Sequence, residues 1–283
     1  MAVVWFCWGF SYPATKLMLG SFDVWTSRSL IMVIVGATLL TMGSLSGKKI
    51  TVPRGQRWNL IIAAFLNMTV FQIGMTLGVH YLSAGRTAVI VYTMPLWIML
   101  AAWPLLGERP TLLRLCALGL GLIGLHVLMN QDFGHLLDAG FGASATLVAA
   151  IAFGLGTVWV KRCVWDNDPT VLAGWQVVLG ALPVVALWSV LGKSTDWSTV
   201  AFESWAGLFF NLIFANVLAY YAWFRVIGAF PATVTGLGTL AIPIVGMLAS
   251  ALVLGEHVGW RELTALTLIV SALALNLWSA RNG

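Results

Sequence analysis

Unbroken apolar runs, each about 20 residues long and parted by short polar breaks, constrain this chain more than any other feature. That length matches a membrane-spanning helix, whereas strands of a membrane barrel alternate in polarity over about 10 residues. In lipid, backbone amides must pair within a helix or a closed barrel, so unbroken runs select helices. Hydrophobic residues make up 60% of the 283 residues and charged residues 9%, against about 25% charged in soluble domains. A soluble domain of this size would leave too much apolar surface facing water. The expected fold class is an all-α integral membrane protein with the lipid bilayer as its main partner.

Ten runs can be marked, at about 2–20, 24–43, 58–79, 84–106, 112–130, 141–161, 170–190, 203–226, 231–254 and 261–280. The breaks hold turn formers such as Glu108-Arg109-Pro110 and Asp166-Asn167-Asp168-Pro169. With the N-terminus inside, ten lysines and arginines collect at inner ends and loops, against Lys16, Arg28, Arg86, Lys193 and Arg261 outside. That bias places both termini in the cytoplasm of a multi-pass plasma (bacterial inner) membrane. The net charge of +5 reflects these loop residues, so no nucleic acid is expected as a partner. Cys7, Cys116 and Cys163 are odd in number and lie in or beside apolar runs, as small hydrophobes rather than a disulfide framework. The chain opens apolar, with no basic n-region, so no cleaved leader is expected.

The runs repeat. Sliding the chain by 148 residues brings Glu108 onto Glu256, Gly107 onto Gly255, Pro95 onto Pro243 and Thr87 onto Thr235. A shift of 145 brings Gly9 onto Gly154 and Lys16 onto Lys161. The halves are residues 1–130 and 141–280, five spans each. Five is odd, so the second half enters the membrane from the opposite side. Such inverted repeats build secondary transporters whose substrate site lies near the midplane between the halves. Gly107-Glu108 and Gly255-Glu256 read as a structural corner, because an acid is favoured beside a helix N-terminus.

Ten spans in two halves, each with Pro-x(11)-Gly-Glu across its fourth span, resemble the EamA type of the drug/metabolite transporter superfamily. Trp8-Gly-Phe-Ser-Tyr-Pro-Ala-Thr-Lys16 also looks like that family's first span. Within it, the aromatic-rich chain is most similar to the YddG-like exporters of aromatic amino acids. The resemblance covers essentially the whole chain. It implies a central cavity walled by spans 1, 3, 4, 6, 8 and 9, worked by alternating access, with no cofactor and no ATPase subunit.

Two motifs point elsewhere and fail on context. Gly119-Leu-Gly121-Leu-Ile-Gly124 matches a dinucleotide fingerprint but has no preceding strand and sits inside a span. Small residues that let helices approach explain it. Gly192-Lys193-Ser194-Thr195 resembles the end of a phosphate loop, yet Leu187 stands where its first glycine is needed. His126 and His135 lack a second ligand at metal spacing, so no metal site is expected. No catalytic dyad is visible, and the chain is not read as an enzyme.

Every acidic residue, from Asp23 to Glu262, falls at a span end or in a loop. Intramembrane carboxylates are the usual proton carriers, so a facilitator or exchanger fits better than a carboxylate relay. Amides, hydroxyls and aromatic rings remain for the substrate. Asn67 and Phe71 share a face of the third span, and Asn211, Asn216 and Tyr220 lie on the eighth. Trp8 and Tyr12 lie on the first span, Tyr92 and Trp97 on the fourth, Trp159 on the sixth and Thr239 on the ninth. Pro95 and Pro243 mark hinges, because a mid-span proline frees a carbonyl and permits a kink. Buried amides also serve simply to link helices, and Lys16 and Lys161 read as snorkelling. The substrate expected is a small metabolite, first an aromatic or apolar amino acid; a nucleoside, a sugar or a cationic drug remains open.

Overall fold

The computed structural model describes residues 1–81, 87, 90–129, 140–193, 195–254 and 259–281. Among these the chain is helical, with no strand. Helix α1 (Ala2–Met18) turns into α2 (Val24–Leu45), whose first turn is capped by Asp23: its carboxylate accepts from the amides of Trp25 (2.9 Å) and Thr26 (3.2 Å). The basic loop that follows leads to α3 (Arg57–Ala64), which continues through a π-helical segment (Phe65–Val70) into α4 (Phe71–Tyr81). Next come α5 (Met94–Leu106), α6 (Leu112–Met129), α7 (Gly140–Arg162) and α8 (Pro169–Leu191). Helix α9 (Phe202–Phe210) passes through a second π segment (Asn211–Leu218) into α10 (Ala219–Ala229). Helices α11 (Ala232–Gly238), α12 (Ala241–Leu254) and α13 (Trp260–Arg281) complete the chain.

Among the described residues six helices are long and apolar enough to cross a membrane, and Met94–Leu106, Leu112–Val127 and Leu263–Ser279 are shorter apolar ones. Large apolar side chains such as Val33, Ile34, Ile123, Leu182 and Phe209 are exposed, which suits lipid and not water. Trp58, Trp188, Trp205, Trp260 and Trp278, near helix ends, are likewise exposed, as tryptophans at a membrane–water interface are.

Helix pairs cross on glycine, among them the two at the repeated Gly9 and Gly154. A Cβ on Gly9 of α1 would lie 2.5 Å from Val245 of α12, and one on Gly154 of α7 would lie 2.7 Å from Cβ of Trp97 on α5. Only a missing side chain lets those backbones approach so closely. Gly124 of the fingerprint-like run meets Ile269 of α13 in the same way, a packing role rather than a ligand role.

The prolines act one turn earlier than a simple kink requires. The helix stops at Tyr92–Thr93 and restarts at Met94 with Pro95 in its first turn. It stops again at Thr239–Leu240 and restarts at Ala241, with Pro243 two residues on. Proline excludes the carbonyl four residues back, Val91 or Thr239, so the preceding turn cannot close as α-helix. Each interruption is tightened instead by short-range bonds, Leu96 N to Thr93 O (2.9 Å) and Ile242 N to Thr239 O (3.0 Å).

One end of the bundle is tied by polar groups. Asn167 donates to the carbonyls of Lys49 (2.8 Å) and Thr51 (3.2 Å), and the Trp175 indole to that of Ile50 (2.9 Å). Asp168 caps α8 through the Thr170 amide and faces Lys48 (3.6 Å) and Arg225 (3.9 Å). Burial opposes its charge, but the Thr170 amide and hydroxyl, then Arg225 and Lys48, hold its carboxyl below the ordinary value. The Lys161 ammonium does not reach out to a headgroup; it donates to the carbonyls of Ile227 and Phe230, closing the end of α10.

Candidate functional site

Aromatic rings from four helical segments meet inside the bundle. Trp8 of α1 lies edge-on to Tyr220 of α10 (centroids 6.3 Å apart) and tilted against Trp223 (5.3 Å). Phe153 of α7 joins Trp223 (5.9 Å) to Phe71 of α4 (4.8 Å). Separations and tilts of this kind suit ring quadrupoles. Trp8 is held by its indole N–H, which donates to the carbonyl of Ala215 (2.9 Å) in the second π segment. Tyr220 is reached by Gln72, whose amide donates to the phenol oxygen (3.4 Å), and those two residues stand 148 apart in sequence. The result is a buried aromatic cluster with one amide and one phenol at its edge.

Three residues expected at the site, Trp8, Phe71 and Tyr220, are thus brought together. Tyr12 and Tyr92 form a second pair, joined hydroxyl to hydroxyl between α1 and the interruption before α5. Beside them Trp97 donates its indole N–H to the Thr93 hydroxyl (3.1 Å). Trp159 is half-buried, with its indole nitrogen buried and unpartnered among the described residues.

The amides take other places. Asn67 turns to α8, donating to Gln176 (3.0 Å), and packs so tightly on Gly156 that a Cβ there would lie 2.2 Å from its oxygen. Asn211 donates to the carbonyl of Gly207 (2.9 Å) and accepts from Thr15 (3.2 Å). Asn216 donates to the carbonyl of Asn211 (2.7 Å). These bonds satisfy backbone that the π segment leaves irregular, and π segments recur at functional positions. Thr239 bonds the carbonyl of Gly236 (2.7 Å) at the helix interruption.

Glu108 is a corner, but for a different helix than the one that follows it. Gly107, at φ 72°, ends α5 in the left-handed conformation that glycine tolerates. The Glu108 carboxylate then accepts from the amides of Ala232 (2.9 Å) and Thr233 (3.0 Å) and from the Thr233 hydroxyl (3.0 Å). It caps α11, more than a hundred residues away, and locks the end of α5 to the start of α11. Gly255 and Glu256 lie outside the described residues.

Sequence reasoning missed Gln72, Phe153 and Trp223. A signal existed for each. Gln72 falls on Tyr220 at the repeat offset, Phe153 neighbours the repeated Gly154, and Trp223 lies one turn from Tyr220. Arg28, read on the outer side, lies in the second turn of α2.

Comparison with known proteins agrees with this architecture. A solved crystal structure superposes with a TM-score of 0.85 at 19% identity, covering 99% of this chain and 96% of that one, which speaks to the fold. The uncharacterized transporter YvbV of Bacillus subtilis (strain 168) is 26% identical over 277 residues, 95% of this chain and 87% of its own. Protein PecM of Dickeya dadantii (strain 3937) is 27% identical, over 95% of this chain and 88% of its own. A probable amino-acid metabolite efflux pump of Salmonella typhimurium is 24% identical, over 70% of this chain and 69% of its own. The model of the EamA-like transporter family matches residues 1–130 and 140–278. This multi-pass membrane protein belongs to the EamA-like transporter family.

Proposed function

We propose that the chain exports amino acids with aromatic or apolar side chains, in the manner of YddG-like exporters, across a bacterial inner membrane with both its termini in the cytoplasm. The observation that carries this reading is the cluster of Trp8, Tyr220, Trp223, Phe153 and Phe71, with Gln72 on the Tyr220 phenol. Rings and aliphatic chains find an apolar wall there, while the amide and phenol orient the polar end of the substrate. The Salmonella efflux pump among its relatives supports amino acids as the first substrates to try.

The reading takes ten spans as two inverted halves, residues 1–130 and 141–280, that rock about the cluster. Three features support it: two family matches of similar length, glycine crossings at Gly9 and Gly154, and helix interruptions before Pro95 and Pro243. Interrupted helices near a midplane site are a recurring transporter device. Counterflow of labelled phenylalanine, leucine and lysine in proteoliposomes, with and without a pH gradient, tests the proposal. Export of the first two, weakened by Trp8→Ala in folded protein, is expected. Counterflow of nucleosides, sugars or cationic drugs alone would replace it.

A further inference from the structure

Arg28 of α2 stands out among the polar groups that the aromatic cluster does not engage. It shares a helical stripe with Met32, Val35 and Leu39, which are 2%, 0% and 0% exposed. The exposed side of α2, at Val33 and Ile34, lies opposite, so Arg28 points into the bundle and not toward lipid headgroups. The core that receives this stripe also contains Phe153, Tyr220 and Trp223 of the aromatic cluster. Among the described residues no carboxylate pairs with Arg28 and no hydrogen bond holds it; Asp23, five residues earlier, spends its capping oxygen on the amides of Trp25 and Thr26. The two ion pairs among the described residues, both on Asp168, lie elsewhere.

A charged side chain within a span is costly and persists where function needs it. Arg28 is partly buried, and a guanidinium drawn away from water without an anion is costlier still. Its planar fork fits a carboxylate through two parallel hydrogen bonds. We propose that Arg28 is the anion-recognition group of the cavity, taking the carboxylate of a monoanionic or zwitterionic substrate whose apolar part rests on the Trp8–Tyr220–Trp223 cluster. This rests on the transporter reading and deepens it, because it separates carboxylates from the cationic compounds that the sequence alone left open. One unpaired cation matches one carboxylate; it is a poor host for an organic ammonium, whose charge it would repel.

Titration calorimetry on the full chain in nanodiscs tests this with two probes of the same shape, phenylacetate and phenylacetamide. The wild type is expected to bind the acid at least about tenfold tighter than the amide, the scale of a charged hydrogen-bonded pair. Arg28→Gln removes that preference and Arg28→Lys keeps part of it. Equal affinity for acid and amide, no binding of either at millimolar concentration, or an undiminished preference in Arg28→Gln overturns the proposal. Should Arg28→Gln fail to fold, the wild-type comparison and Arg28→Lys decide. Amino-acid counterflow run beside it separates the two ideas. Acid preference without counterflow overturns amino-acid export and leaves Arg28 in place; counterflow without acid preference does the reverse.

Discussion

The two π segments occupy comparable positions in their spans and do different work. In Phe65–Val70 the buried amide of Asn67 is bonded to Gln176 of α8 and seated on Gly156 of α7. In Asn211–Leu218 the amides of Asn211 and Asn216 are spent on nearby backbone, and a carbonyl of the segment holds Trp8. The first segment is an anchor between helices. The second holds Trp8 of the aromatic cluster. A shared irregularity of backbone therefore does not carry a shared role, since the side chains decide what the irregularity faces.

That contrast can be broken from the anchor side first. Gly156→Val forces carbon into the space held by the Asn67 amide, where even a Cβ would lie 2.2 Å from its oxygen. Overpacking of this kind costs about 1–3 kcal/mol or more, and a large fall in the thermal midpoint in detergent is expected. A near-wild-type midpoint would show that Asn67 is not anchored there. Asn67→Ala is the milder cut: it strands Gln176, whose other amide atom already lacks a partner, at about 1–2 kcal/mol. Its stability should fall more than its affinity for substrate, and the opposite ranking would move Asn67 into the cavity.

On the other side, Asn216→Ala removes one bond onto Asn211 and should cost roughly 0.6 kcal/mol of stability. Counterflow should suffer more than the midpoint does, because the bond supports the segment holding Trp8. Matching losses of stability and counterflow would make the second segment an anchor too. The smallest effect is expected at the capped start of α8. Asp168 has a lowered carboxyl value, so its stabilisation is present above the unfolded value and lost as pH falls through the folded one. Asp168→Asn should lower the midpoint slightly at neutral pH, by about 0.5–1 kcal/mol as a cap and partly exposed ion pair. The gap should close on acidification; a gap that widens would reverse the sign of the argument.

Much of this was legible in one dimension. Apolar runs reported membrane helices because lipid demands internally paired backbone, and the Gly107-Glu108 turn reported a corner because a left-handed position and a cap have short-range chemistry. Trp8, Phe71 and Tyr220 were readable as site candidates from helical spacing. What sequence could not supply was direction. Whether Asn67 faces a cavity or Gln176, and whether Glu108 caps its own next helix or α11, depend on which helix lies alongside. Sequence alone determined that the chain lives in a bilayer and where its helices break, since both follow from local hydropathy and from the lost amide of proline. Only the tertiary structure decided which polar groups meet, because those bonds join residues more than a hundred positions apart and exist only once the helices have packed.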